Sequence, residues 1–370
     1  MVRVLITGGA GFIGSHTADA LIEAGYDVRL LDVLSPQVHG PKRERPDYLH
    51  PGAELIVGDV TDALAVDRAL RGVDKVLHLA SSVGVGQSMY DIESYVRTNE
   101  LGTAVLLQAL ANRPVGRLVV ASSMSIYGEG ACRAADGSIV APEERAVAQL
   151  KRGAWELIDT DGQILEPVPT PETKQPALSS IYALNKFAQE RMCLITGKAY
   201  GIPTLALRFF NVFGPRQALS NPYTGVLAIF AARLLNDRPP LVFEDGLQRR
   251  DFVHVHDVAR ACLLALEGDH ADDVFNIGSG QSRSILSVAE DLARVMGRSQ
   301  MTPQITAKYR AGDIRHCFAD LGKSSRVLGF APQVRFEDGL DELATYLADQ
   351  IADDQAEKAT EELLRRGLVA

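Results

Sequence analysis

Tyr182 and Lys186 stand one helical turn apart in the segment YALNK, inside a pattern that predicts a helix from Ser179 to Tyr200. On such a helix the phenol and the ammonium share a face. A neighbouring cation lowers a phenol's pKa, and a phenolate near neutral pH can accept and return a proton. By itself the pair is more often a solvated helix face, so the chemistry needs company. Ser123 offers it, in the stretch ASSMSIYG that follows the apolar run Leu118, Val119, Val120. A hydroxyl at a strand end can hold a reacting group, and the adjacent Met124 and Ser125 bring no carboxylate to it.

A second constellation lies at the start of the chain. Thr7-Gly8-Gly9-Ala10-Gly11-Phe12-Ile13-Gly14 joins a strand predicted over Val2 to Ile6 to a helix over Phe12 to Ala24. Gly8 permits a tight turn, Gly11 a close approach of backbone to a pyrophosphate, and Gly14 close packing of helix on strand. The helix N-terminus adds free N–H groups. Asp32 ends the next strand, where a carboxylate can bind both ribose hydroxyls and would repel a 2′-phosphate, so NAD is expected rather than NADP. Asp59 and Val60 follow the third strand; Asp59 can meet an adenine amino group, cap the helix after Thr61 and Asp62, or do both.

These residues need a frame that brings them together. Aliphatic runs alternate with amphipathic stretches: Val28 to Leu31, Glu54 to Val57, Ala63 to Leu70, Lys75 to Leu79, Ile92 to Leu110 and Arg117 to Val120. This predicts an α/β fold with a doubly wound parallel sheet, whose strand carboxyl ends form one ligand-binding rim. The expected organisation is a dinucleotide-binding domain over 1–210, a smaller α/β substrate domain over 211–350 that partly returns to the sheet, and a helical tail over 351–370. Residues 129–176 are polar and proline-rich and interrupt the alternation; they predict an insertion with structure of its own, either a lid or a surface excursion, with a short helix over Glu143 to Leu150.

With 38 Lys+Arg against 47 Asp+Glu the net charge is −9, which disfavours nucleic acid and anionic membrane as partners. The four cysteines are scattered, and no apolar run approaches the roughly 20 residues of a membrane span. A reduced, cytoplasmic setting is expected, and any anionic ligand needs local arginines or helix N-termini.

Taken together, TGGAGFIGS, HLAS at 78–81, Asn99 in TNELGT, SSMSIYG, YALNK, RFFNVFGPR at 208–216 and RRDFVHVHD at 249–257 resemble the extended short-chain dehydrogenase/reductase family, the Rossmann-fold NAD-dependent nucleotide-sugar epimerases and dehydratases. The resemblance implies that Ser123 holds the reacting hydroxyl, that Tyr182 is the acid/base, and that Lys186 binds the nicotinamide ribose while tuning Tyr182. It assigns Gly8, Gly11, Phe12, Ile13, Gly14, Asp32, Asp59, Val60, Leu79, Ala80, Ser81, Asn99, Tyr182, Lys186 and Phe209 to the NAD site. Val85, Ser125, Asn211, Arg250 and Arg310 are assigned to the nucleotide sugar, the last three to its diphosphate, and no metal is implied.

The family's shared step makes a 4-ketosugar by removing the C4 hydrogen as hydride. Its 4,6-dehydratases follow the Ser/Thr with an Asp and a Glu that expel water. Met124 and Ser125 cannot do so, which leaves return of the hydride to the other face, a 4-epimerisation. The long insertion, QALSNPYTGVLAIFAARLLN and GDIRHCFAD are most similar to 4-epimerases acting on dTDP-L-rhamnose and dTDP-6-deoxy-L-talose. A UDP-sugar 4-epimerase of the galactose or glucuronate type is the alternative, and a 4,6-dehydratase a weaker one. Ser81 to Ser88 contains no basic residue to pair with a glucuronate carboxylate. The family also implies a homodimer built on the helices at Ile92 to Leu110 and Ser180 to Tyr200.

Overall fold

In the strand Arg3–Thr7, Val4 and Ile6 face one side and Leu5 the other, and all three are fully buried. A strand apolar on both sides belongs inside a covered sheet. A computed structural model of the chain describes residues 1–370 apart from Ser220, Pro222, Thr224 and Ala311, so parts of the QALSNPYTG and YRAGD stretches lie outside the described residues. Seven parallel strands form the main sheet, in the order Asp273–Ile277, Thr204–Phe209, Arg117–Ser123, Lys75–His78, Arg3–Thr7, Asp27–Asp32 and Glu54–Val57. The order reverses between Lys75–His78 and Arg3–Thr7, which opens a crevice at their carboxyl ends.

Each face of the sheet has its own core. Val4, Ile6, Leu30, Val119 and Phe275 pack with Ala18 and Leu21 of the helix Phe12–Glu23 and Val258, Ala261 and Ala265 of the helix Val255–Glu267. Leu5, Leu31, Val76 and Val120 pack on the other side with Val66, Leu106, Leu110 and Cys193. A third core joins Phe213, Phe230, Phe252, Leu292, Phe336 and Leu343 in the second half of the chain. There Arg249–His254 is paired with Asn211–Phe213, Ser282–Ser284 and His316–Cys317. Among the described residues no helix is long and apolar enough to cross a membrane.

The helix expected over Ile92 to Leu110 is broken into Ile92–Val96 and Gly102–Asn112 by a π turn at Arg97–Leu101. One extra residue in the turn brings Asn99 inside, where it is fully buried. Directly after it, a Cβ on Gly102 would stand 2.4 Å from Val60, so only glycine lets this helix approach the loop after the third strand.

The insertion does have structure of its own: Cys132–Arg133 pairs antiparallel with Ile139–Val140 and Glu166–Pro167. Its helical part is shorter than expected, Val147–Leu150. A buried charge network fixes it to the second half of the chain. Arg145 pairs with Glu244 at 2.9 Å and donates to the carbonyls of Trp155 and Asp313. Arg315, wholly enclosed, pairs with Glu244, Asp245 and Glu156. Glu129 accepts from the amides of Arg315 and His316.

The last segment is more than an appendage. Its helix Ala356–Arg365 buries Leu363, Arg233 reaches Asp354 and Glu357, and Val369 bridges to Arg310.

Glu156 is the titratable link between insertion and body. Hydrogen bonds from His316 Nε2 at 3.0 Å, then from Arg315, hold its carboxyl down to about 2, against an ordinary value of 4.5. A depressed carboxyl stabilises the fold above the unfolded-state value and loses that contribution as pH falls through the folded one. Glu156→Gln is therefore expected to cost about 1 kcal/mol at pH 7, after allowance for the partial exposure of the pair. Urea unfolding should show the gap between variant and wild type closing as pH falls below about 4.5. A gap independent of pH would contradict the assignment.

Candidate NAD and acid/base site

The crevice at the reversal point is a cavity of about 610 Å³. At its floor the glycine turn meets the loop after Lys75–His78. Gly8 has φ +68°, and a Cβ there would stand 2.8 Å from the Ala80 amide nitrogen; a Cβ on Gly14 would stand 2.5 Å from the Gly8 carbonyl. Side chains are excluded at both points, so backbone lines the turn. The helix Phe12–Glu23 begins there with no side-chain cap, leaving its N-terminus to an anion. Asp32 braces the turn by accepting from the amides of Ala10 at 3.0 Å and Leu34 at 2.9 Å. These features fit a dinucleotide: pyrophosphate on the Gly11–Gly14 backbone, adenosine ribose at Asp32.

Phe12, Ile13, Asp59, Val60, Leu79, Ala80, Ser81 and Phe209 also line the cavity. Asp59 lines the cavity and accepts from the amide and hydroxyl of Thr61, while the cap of the helix Ala63–Ala69 is Asp62, whose carboxylate accepts from the Leu64 amide. Asn99 is a support rather than a lining residue. Its side chain accepts from the Ser82 amide at 2.7 Å and the Ser81 hydroxyl, and donates to the Ser82 carbonyl.

Tyr182 and Lys186 face the same cavity from the helix Ile181–Tyr200. The helix is capped by Ser180, whose hydroxyl accepts from the Ala183 amide, and Ser88 Oγ accepts from the amide of Tyr182. Ser123 ends its strand by accepting from the Ser125 amide at 3.1 Å and bonding the Ser125 hydroxyl at 3.2 Å. Burial lifts the Tyr182 phenol to about 12, and a hydrogen bond with Ser123 pulls the other way.

Lys186 Nζ donates to Gln189 Oε1 at 2.8 Å. Burial lowers Lys186 to about 8, with Cys193 and Glu190 opposing. Gln189 in turn donates to Thr103, Thr103 meets His78 at 2.9 Å, and His78 meets Thr7 at 2.7 Å. His78 is held neutral, near 3, by burial and by Lys186. A continuous side-chain chain thus runs from the glycine turn to the lysine.

Of the residues assigned to substrate, Val85, Ser125 and Asn211 line the cavity, and the buried Asn211 Oδ1 has no hydrogen-bond partner among the described residues. Arg250 and Arg310 are corrected: neither lines it. Arg250 is committed to the carbonyls of Arg249, Ile314 and Arg315. Arg310 stacks over Phe243 at 4.6 Å and borders a separate small cavity with Gly86, Tyr223 and Leu363.

The large cavity also contains His39, Tyr95, Tyr223 and the helix start at Gly225 and Val226, none of which the sequence assigned to a site, although the last three fall within QALSNPYTGVLAIFAARLLN. Only proximity in the fold could have found them. Among the described residues, none from the insertion lines this cavity.

Comparison with known proteins agrees with this geometry. Residues 4–145 and 161–278 match the NAD dependent epimerase/dehydratase family. A dTDP-L-rhamnose 4-epimerase of Burkholderia thailandensis is 38% identical over 94% of this chain and 96% of its own. A UDP-glucose 4-epimerase of Thermotoga maritima, solved with UDP-glucose, superposes with a TM-score of 0.77 at 30% identity, covering 94% of this chain and 99% of that one. One from Thermus thermophilus, in complex with NAD, gives 0.74 at 30% identity, covering 95% and 100%. The chain is therefore an enzyme with NAD as its cofactor, and it belongs to the NAD dependent epimerase/dehydratase family of extended short-chain dehydrogenase/reductases.

Proposed function

We propose that this protein is a nucleotide-sugar 4-epimerase that interconverts dTDP-L-rhamnose and dTDP-6-deoxy-L-talose. The observation that carries the reading is the strand end at Ser123. Its hydroxyl opposes the rise that burial imposes on the Tyr182 phenol, while the next two positions are Met124 and Ser125. Ser123 and Tyr182 would hold the C4 hydroxyl between them, and Tyr182 would take its proton during oxidation and give it back during reduction. NAD, when bound, supplies a positively charged ring that accepts the C4 hydrogen as hydride and returns it. With no carboxylate acid and base beside Ser123, loss of water from C6 has no proton donor and acceptor there. Turning the ketone and reducing its other face remains.

The preference for a dTDP-6-deoxy sugar is supported by the relative at 38% identity and by the absence of basic residues in Ser81 to Ser88. With Arg250 committed to backbone carbonyls and Arg310 outside the cavity, the free N-terminus of the helix Val226–Leu235 is the candidate partner for the diphosphate. We further propose a homodimer. Ile92, Val96, Leu101, Leu184 and Ile195 leave apolar surface exposed along the two helices expected to form it. The functional domain division at about residue 210 and a cytoplasmic location belong to the same reading.

A panel of dTDP-L-rhamnose, dTDP-glucose, UDP-glucose, UDP-galactose and UDP-glucuronate, followed by NMR, tests substrate and reaction together. The highest kcat/KM is expected for dTDP-L-rhamnose with the talose isomer as product. A UDP-sugar turned over best would transfer the reading to that substrate, a 4-keto-6-deoxy product would make the enzyme a dehydratase, and no turnover of any would sink it.

Tyr182→Phe is expected to lower kcat by about 10²–10⁴-fold while leaving NAD affinity unchanged. Lys186 titrates near 8, so its ammonium is present below that pH and lost above it. Turnover should fall as pH rises through this region. In Gln189→Leu the buried ammonium loses its acceptor and its pKa falls further. The alkaline decline should then move to lower pH, with kcat reduced about tenfold at neutral pH. An unmoved pH profile would contradict the role of Gln189.

A further inference from the structure

Outside the cavity, three potential metal donors converge where the strand Arg249–His254 enters the helix Val255–Glu267. His254 ends the strand, His256 lies in the first helical turn, and Glu342 comes from the helix Phe336–Leu347. The His254 side chain is completely enclosed. Phe213 and His256 stand edge-on to it, and Gly339 is so close that a Cβ there would come within 2.8 Å of its ring. Yet His254 Nε2 has no hydrogen-bond partner among the described residues. A polar atom so buried is ordinarily satisfied, and its lack of a partner asks what it faces.

It faces a carboxylate at a distance too long for a hydrogen bond. His254 Nε2 is 3.6 Å from Glu342 Oε2, and His256 Nε2 is 3.7 Å from Glu342 Oε1. The three ligand atoms lie within 4.8 Å of one another. With metal bonds of about 2.0–2.2 Å to nitrogen and oxygen, the edge of a tetrahedral zinc site is about 3.3–3.6 Å, and each imidazole already stands near that distance from the carboxylate, each from a different oxygen.

We propose that His254 Nε2, His256 Nε2 and the Glu342 carboxylate bind a zinc-class divalent cation that clips the helix Phe336–Leu347 to the start of the helix Val255–Glu267. Two imidazoles and one carboxylate suit a borderline transition metal rather than calcium or magnesium, which prefer all-oxygen shells. His254 is the enclosed inner ligand. His256 and Glu342, whose side chains are 49% and 40% exposed, form the outer pair and leave an entry path and a fourth position for water.

Loading carries one local cost. His254 Nδ1 accepts a long 3.4 Å contact from the His256 amide, and a neutral ring bound through Nε2 bears its proton on Nδ1, so that contact is given up. His16 stays outside the set, since its Nε2 is engaged with the Pro215 carbonyl at 3.1 Å. The three ligands do not line the NAD cavity, so the role is structural.

Tag-free, chelator-treated protein titrated with ZnCl₂ by calorimetry, with thermal unfolding in parallel, tests the site. One Zn²⁺ per chain and a raised Tm are expected in the wild type. His256→Ala and Glu342→Ala alter partly exposed side chains. Each should weaken Zn²⁺ binding about tenfold or more and remove the Tm rise, with turnover in metal-free buffer unchanged. Failure of the wild type to bind stoichiometrically, or unaltered binding in both variants, overturns the proposal. Because the readout is metal binding, its failure is independent of the substrate reading.

Discussion

A buried ammonium needs an acceptor, and in this protein that need ties the glycine turn to the helix that carries Tyr182 and Lys186. Lys186 sits in a fully enclosed position and gives its proton contact to Gln189 Oε1. Gln189 continues through Thr103 and His78 to Thr7, the residue that opens the glycine turn. Unsatisfied polar groups at these depths each cost on the order of 1–3 kcal/mol, so the chain is held by the penalty of breaking any one link. The turn suited to a pyrophosphate and the helix that carries Tyr182 are thus fixed relative to each other by side chains as well as by the sheet. Tyr182, whose phenol burial pushes up to about 12, depends on that placement, because only positive charge brought close to it can make its proton labile.

The second structural commitment is made with arginines. In an acidic chain, guanidinium groups are the obvious partners for a diphosphate, yet those with the most suggestive sequence contexts are used elsewhere. Arg250 satisfies backbone carbonyls, Arg310 lies over Phe243 beneath the terminal segment, and Arg315 and Arg145 neutralise Glu244 and its neighbours. Such buried pairs contribute little net stability against an apolar alternative, but breaking one leaves a charge uncompensated. Their consequence here is positional. They lock the insertion against the Glu244 and Arg315 segments, so it serves as a brace for the second half of the chain, and among the described residues it contributes nothing to the cavity wall.

Much of this was legible in the sequence because it is written locally. The glycine turn, Asp32, the strand and helix alternation and the Tyr182–Lys186 spacing each depend on residues within one or two elements, and each is found where its pattern predicts. The π turn at Arg97–Leu101 was not legible, since one extra residue in a helical turn leaves the apolar pattern nearly unchanged. The partners of Arg145, Arg250 and Arg315 lay hidden for another reason: most stand far along the chain, and charge alone does not say whether an arginine faces a ligand or a carbonyl. Gln189 was within reach, three residues beyond Lys186 on the same helix. Only the geometry makes it the acceptor.

What would set this epimerase apart from its dehydratase relatives is a pair of side chains that lack acid/base chemistry, Met124 and Ser125, beside a hydroxyl and a phenol that have it. In the proposed reaction one hydrogen leaves C4 and the same hydrogen returns to the opposite face. dTDP-L-rhamnose carrying deuterium at C4, incubated in ordinary water, tests this most directly. A 6-deoxy-L-talose product that keeps its deuterium at C4 is expected. A product bearing protium at C4, or one that has lost water from the sugar, would contradict it.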